Sequence, residues 1–160
     1  MNEPLASPEI YASHILKVRY AETDQMGVVY HANYLIWFHE ARDTLLSDLG
    51  VDSAALERSG YRFPLMEVSC RFFRSAQYGD EIQVQAFLAV ERAARMKFRF
   101  EVRHSQSKRL LATGLSVSVI TDDQGKQMLR LPDELAEAFR RATAPRFHAC
   151  PPAAAKDDQV

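Results

Sequence analysis

Apolar residues change their period along this chain, and the changes mark its elements. Over residues 14–20, Leu16, Val18 and Tyr20 alternate with Lys17 and Arg19, which predicts a half-buried strand. From Tyr34 the period lengthens. Tyr34, Leu35, Phe38, Ala41, Leu45 and Leu49 recur at three- and four-residue steps, which predicts a helix over 34–49 that Gly50 ends. Leu35, Ile36, Trp37 and Phe38 leave its first half almost without a polar face, as in a helix buried in a core.

Alternation then returns in four segments. Residues 66–73 place Met66, Val68, Cys70 and Phe72 on one face, with Pro64 marking a strand start or an edge. Residues 80–90 do the same with Ile82, Val84, Ala86, Leu88 and Val90. Over 95–104, Met96, Phe98, Phe100 and Val102 alternate with Arg95, Lys97, Arg99, Glu101 and Arg103, and over 109–120 the apolar set is Leu111, Thr113, Leu115, Val117 and Val119. The links at 76–79, 93–94 and 105–108 are short, so neighbouring strands form antiparallel hairpins. A short helix is predicted at 51–59, capped by Asp52 or Ser53 and ended by Gly60. A terminal helix follows at 132–142, with Pro132 early and Asp133 and Glu134 in its first turn. Residues 1–12 read as a loose arm and 143–160, rich in Ala and Pro, as a disordered tail, which leaves 1–142 as one domain. A sheet with one apolar face needs a mate, and the 34–49 helix supplies it. The pattern therefore specifies an α+β fold, a helix on an antiparallel sheet, and leaves the strand order open.

Composition changes this picture little. The chain has 160 residues, 47% hydrophobic and 26% charged, with a net charge of −1, so nothing global favours nucleic acid or an anionic membrane. No apolar run approaches a membrane span, and the opening MNEPLASPE has neither a basic nor an apolar leader segment, which points to the cytoplasm. The two cysteines are no disulfide framework: Cys70 reads as a small buried hydrophobe and Cys150 falls in the tail.

Candidate chemistry gathers between the first strand and the long helix. Glu22, Thr23, Asp24 and Gln25 precede the turn at Gly27, and His31 stands at the helix start. A helix N-terminus offers unpaired N–H groups and partial positive charge, which can stabilise an oxyanion on a carbonyl. A carboxylate just upstream can act on that carbonyl as nucleophile or general base. From spacing alone, Asp24 reads as a loop cap and His31 as a turn residue, because Asp before a helix is commonplace. His39-Glu40-Ala41-Arg42-Asp43 misses the zinc motif H-E-x-x-H by its last residue, so no metal is expected. There is no P-loop, no G-x-G-x-x-G and no G-x-S-x-G.

Tyr20, Asp24, Gly27, Val28, Val29, Tyr30, His31, Asn33 and Tyr34 spell Y-x-x-x-D-x-x-G-V-V-Y-H-x-N-Y. This run resembles the signature of the 4-hydroxybenzoyl-CoA thioesterase family, and within it the acyl-CoA thioesterases associated with the Tol–Pal system. The Gln77-Tyr78-Gly79-Asp80 turn extends the likeness, which covers about residues 14–142 by element order. The resemblance implies a hotdog fold, about five strands wrapped around one long helix. It implies hydrolysis of a short-chain or aromatic acyl-CoA with no cofactor. Asp24 would attack the thioester or activate water. The His31 backbone N–H would polarise the carbonyl and its imidazole assist proton transfer, with Tyr20 as a third participant. Gly27, Tyr30, Asn33, Tyr34 and Arg74 would bind substrate. It also implies a homodimer or homotetramer with the active site between subunits; from charge and composition no nucleic-acid partner and no membrane insertion are expected.

Beside this stand other readings. Lys97, Arg99, Arg103, Arg71 and Arg74 could meet CoA phosphates, although such residues are more often a solvated face. Tyr30, Trp37 and Phe63 could line an acyl pocket or simply be core. A hotdog dehydratase would carry a His-Phe-Pro sequence that this chain lacks. A non-catalytic acyl-CoA or acyl-carrier-protein binding module, or an envelope-complex partner, would bind thioesters without turnover.

Overall fold

The structure is a computed structural model that describes residues 10–90 and 94–143. The arm before residue 10, the link at 91–93 and the tail from 144, Cys150 included, lie outside the described residues. In chain order the elements are β1 (Ile10–Lys17), α1 (Ala32–Asp48), α2 (Ser53–Arg58), β2 (Leu65–Phe72), β3 (Glu81–Val90), β4 (Arg95–His104), β5 (Leu110–Val119) and α3 (Asp133–Thr143). The strands form one five-stranded sheet in the order β1-β3-β4-β5-β2, with every pairing antiparallel. β3, β4 and β5 are successive neighbours, as their short links require, but the expected hairpin across 76–79 does not form: β3 pairs β1 and β4, while β2 crosses the sheet to pair β5. β1 and β2 close the two sides. The sheet carries α1 on its apolar face, which is the hotdog arrangement.

The predicted faces of β3 and β4 are those observed: Ile82, Val84, Ala86 and Leu88, with Met96, Phe98, Phe100 and Val102, are buried against α1. On β5 the expectation is corrected. Phe98 pairs with Ser116 and Phe100 with Gly114, so the face toward α1 is Ala112, Gly114, Ser116 and Ser118. Leu115 and Val117 lie on the opposite face, across from Arg99 and Lys97. The reason is the thickness of the helix side chains. Phe38 lies flat on Phe100 at 4.5 Å, and a Cβ on Gly114 would stand 2.3 Å from the Phe38 ring. Small residues here let the helix sit close, and the larger aliphatic ones take the other face because the strand period is two.

Three further expectations shift. β1 runs from Ile10 to Lys17 instead of 14–20, so part of the predicted arm is strand and Tyr20 opens a 3-10 turn (Tyr20–Glu22). The turn is fixed by Glu22, whose carboxylate accepts the Arg19 backbone N–H at 2.7 Å. α1 starts at Ala32, two residues before the predicted start, because Asn33 N–H already bonds Tyr30 C=O at 3.0 Å. Its first half is not buried all round: Trp37 and Phe38 are, while Leu35 and Ile36 are 39% and 50% exposed. The sheet covers one side of the helix only. β2 is an edge strand, as Pro64 suggested, and its apolar residues Leu65, Met66, Val68 and Phe72 stay largely exposed for the same reason.

Candidate functional site

The chain between β1 and α1 is a small antiparallel loop. Thr23 bridges Val29, Asp24 N–H bonds Val28 C=O at 2.9 Å, and Gly27 turns the tip at φ +74°. That φ is costly for residues with a Cβ, which explains the glycine. Val28 bridges Gln77 and Val29 N–H bonds Ala76 C=O at 2.9 Å, so the loop is stitched to the turn that leads into β3.

Glu22 anchors its base. The carboxylate is 5% exposed. It accepts the Arg19 backbone, the Arg19 guanidinium at 3.1 Å and Trp37 Nε1 at 3.1 Å. Its own carbonyl accepts Tyr30 N–H and Asn33 Nδ2, both at 2.8 Å. Burial works to raise this carboxyl, but the bonds from Arg19 and Trp37 together outweigh it and hold the group below its ordinary value. Strand end, loop and helix start therefore meet on one residue.

Asp24 is half-buried, and its Oδ1 accepts Met26 N–H at 2.8 Å. It lines a cavity of about 270 Å³ with His31, Tyr34, Phe72, Phe73 and Arg74. Helix geometry leaves the backbone N–H groups of His31 and Ala32 without an intrahelical partner, and none is found for them among the described residues. A carboxylate, the helix-capping residue His31 and a cation thus border one space. Such a set can activate water, hold an oxyanion and attract an anionic substrate.

Four predicted site residues, Asp24, His31, Tyr34 and Arg74, line this cavity. Gly27 shapes the loop beside it. Tyr34 is buried, its Oη accepts Ala76 N–H at 3.3 Å, and burial raises its pKa, so it serves as a neutral wall. Asn33 spends its amide on Glu22 C=O. Tyr30 is not among the lining residues; its ring lies 4.2 Å from that of His31. Nor is Tyr20, which is 77% exposed and edge-on to Tyr78 at 5.8 Å. Trp37 is core, and Phe63 lines a separate cavity with His39 and Arg42.

On the far side of the sheet, Arg99 and Arg103 flank Glu101 at 2.6 and 2.9 Å, and Arg71 lies over the Phe73 ring at 5.3 Å. His39 pairs with Asp43 at 3.2 Å, and among the described residues no His, Cys, Asp and Glu group could hold a metal. Among the described residues no helix is long and apolar enough to cross a membrane. Sequence reasoning missed Glu22 as the anchor and Phe72 and Phe73 as cavity walls. The one available signal for Glu22 was its place in the acidic run before Gly27.

Residues 18–139 match the family model described as the thioesterase-like superfamily. The chain is 40% identical over 73 residues to "Putative acyl-CoA thioesterase YneP" of Bacillus subtilis, a match over 46% of this chain and 53% of that one. In that match the chain spans about half the length of the relative. It is 26% identical over 122 residues to the 1,4-dihydroxy-2-naphthoyl-CoA hydrolase of Synechococcus elongatus, covering 75% of this chain and 88% of the other. Among solved structures it superposes on Slr0204, a 1,4-dihydroxy-2-naphthoyl-CoA thioesterase from Synechocystis, with TM-score 0.77 and 26% identity over 84% of this chain and 99% of that one.

Proposed function

The chain belongs to the thioesterase-like superfamily, and on that premise we propose that it hydrolyses a short-chain or aromatic acyl-CoA thioester to the free acid and CoA. The carrying observation is the shared cavity of Asp24 and the α1 N-terminus. Its relatives named for acyl-CoA and 1,4-dihydroxy-2-naphthoyl-CoA support the substrate class. The Asp24-to-Tyr34 signature supports a place beside the 4-hydroxybenzoyl-CoA thioesterases within the superfamily.

In this reading the thioester carbonyl points its oxygen at the His31 and Ala32 N–H groups. Asp24 Oδ2, which makes no protein hydrogen bond among the described residues, takes a proton from water as the water oxygen attacks the carbonyl carbon. The C–S bond then breaks and the CoA sulfur leaves as thiolate, to be protonated. Direct attack by Asp24 would give a mixed anhydride that water opens to the same products. General-base catalysis supplies about 10²–10⁴-fold and an oxyanion donor about 10²–10³-fold, so neither element suffices alone. Arg74, on the cavity wall, meets the anionic carrier arm.

The reading includes a homodimer. Among the described residues β2 is paired on one side only, and Leu65 and Val68 lie exposed around one space with Leu35. An open apolar edge of this kind invites pairing with a second copy. Thiol release from a panel of aliphatic and aromatic acyl-CoAs tests the activity. Turnover of at least one short or aromatic member is expected; tight binding with no thiol release from any would leave only a binding module.

A further inference from the structure

Three spaces lie between α1 and the edge strand β2. The reaction cavity, of about 270 Å³, ends at Tyr34 and Phe72. A small space of about 110 Å³ begins at their neighbours Leu35 and Val68. It shares His39, Arg42 and Leu65 with a third cavity of about 300 Å³ beneath α2. The second and third therefore adjoin across these three side chains. Among the described residues, the first space ends where Tyr34 stands edge-on to Phe72, with ring centres 5.0 Å apart at 84°, and Cys70, paired with Gly114, lies between Phe72 and Val68 on the same face of β2.

The two rings differ in how they are held. Tyr34 is 2% exposed, bonded to Ala76 and stacked at 4.8 Å on Trp37. Phe72 is 48% exposed, at the end of an edge strand. Val68 and Phe72 pair with Ser116 and Ala112, so both point toward α1 from the same face of β2. Removing the Phe72 ring would widen the first space toward the second, past the smaller Cys70 side chain, and leave Tyr34 in place.

We propose that Phe72 sets the acyl length limit, on the reading that the Asp24 cavity hydrolyses thioesters. With the ring in place the acyl group is confined to a space at the low end of the roughly 300–1,000 Å³ typical of ligand sites, which accepts a ring or a few carbons. Without it, an extended chain runs along α1 into the cavity lined by Leu46, Leu56 and Met96.

The test is kcat/KM for thiol release across butanoyl-, benzoyl-, decanoyl- and dodecanoyl-CoA, with wild type, Phe72→Ala, Phe72→Val and the double variant Phe72→Ala, Leu65→Trp. Circular dichroism checks folding, and Phe72→Val carries the test if the alanine variant does not fold. Wild type should favour the compact substrates over dodecanoyl-CoA by on the order of tenfold or more, the scale of hydrophobic-pocket discrimination. Phe72→Ala should erase or reverse that preference, and Leu65→Trp should restore it by refilling the groove. An unchanged chain-length profile in folded variants, or a wild type that already accepts dodecanoyl-CoA equally, overturns the assignment of Phe72 alone. Absence of thiol release from every substrate by wild type overturns the hydrolase reading with it.

Discussion

Gly114 decides how close α1 sits to the sheet, and Gly114→Ala measures the consequence. The glycine lies in β5 opposite Phe100, directly under the Phe38 ring. A methyl group there would lie 2.3 Å from Phe38 Cε2 and 2.4 Å from Cζ. Phe38 is 2% exposed and stacked on Phe100 with the rings 10° from parallel, so it cannot swing aside without disturbing a second ring. Overpacking of this kind costs typically about 1–3 kcal/mol. Against it, replacing a glycine in a strand gains about 0.4–1 kcal/mol through the unfolded chain. The clash is larger, and the net loss should be on the order of 1–2 kcal/mol, a fall of about 2–8 °C in Tm for a chain of this size. Thermal melts followed by circular dichroism read it directly. Repeating the substitution in a Phe38→Leu background isolates the contact: the penalty should shrink there by about 0.5 kcal/mol or more, as coupled neighbours do. A raised Tm for Gly114→Ala, or equal shifts in both backgrounds, would refute the packing argument.

Two further outcomes follow from the same structure. Glu22 is held below its ordinary carboxyl value of 4.5, so its charged form stabilises the fold above that pH, and the contribution is lost as pH falls through the lowered folded value. Glu22→Gln should therefore be less stable than wild type near neutrality, with the gap closing in acid; a gap that widens below pH 4.5 in denaturant titrations would contradict the assignment. Val68→Asp, a charge on the exposed apolar edge of β2, should convert the proposed homodimer to single chains by light scattering, and a dimer mass kept by the variant would contradict a contact through this edge.

Much of the fold was legible because strand alternation and helix period are read on a single chain. Ile82 through Leu88 and Met96 through Val102 face the core as their spacing requires. β5 misled because hydrophobicity there does not mark the inward face. Gly114, Ser116 and Ser118 face α1 for their size, and only the register against Phe98 and Phe100 reveals it. The exposure of Leu35 and Ile36 was hidden for a related reason, since an apolar helix face says that something covers it without saying that the same chain does. At the site, Asp24 and His31 line one cavity. Phe72 was out of reach, because it arrives from β2, 48 residues beyond Asp24, by a pairing the sequence pattern left open. Glu22 was visible as a letter, but its burial, and hence its role as anchor, depends on Trp37 one helical turn into α1.

The most direct measurement compares single-turnover thiol release by wild type and Asp24→Asn at saturating concentrations of the best acyl-CoA substrate. Asparagine keeps the size and the acceptor oxygen that bonds Met26 N–H, so the loop should stand. Loss of on the order of a hundredfold or more in the chemical step, with substrate affinity little changed, is the expected result. A variant that turns over at the wild-type rate would show that the carboxylate of Asp24 is not the group that carries the reaction.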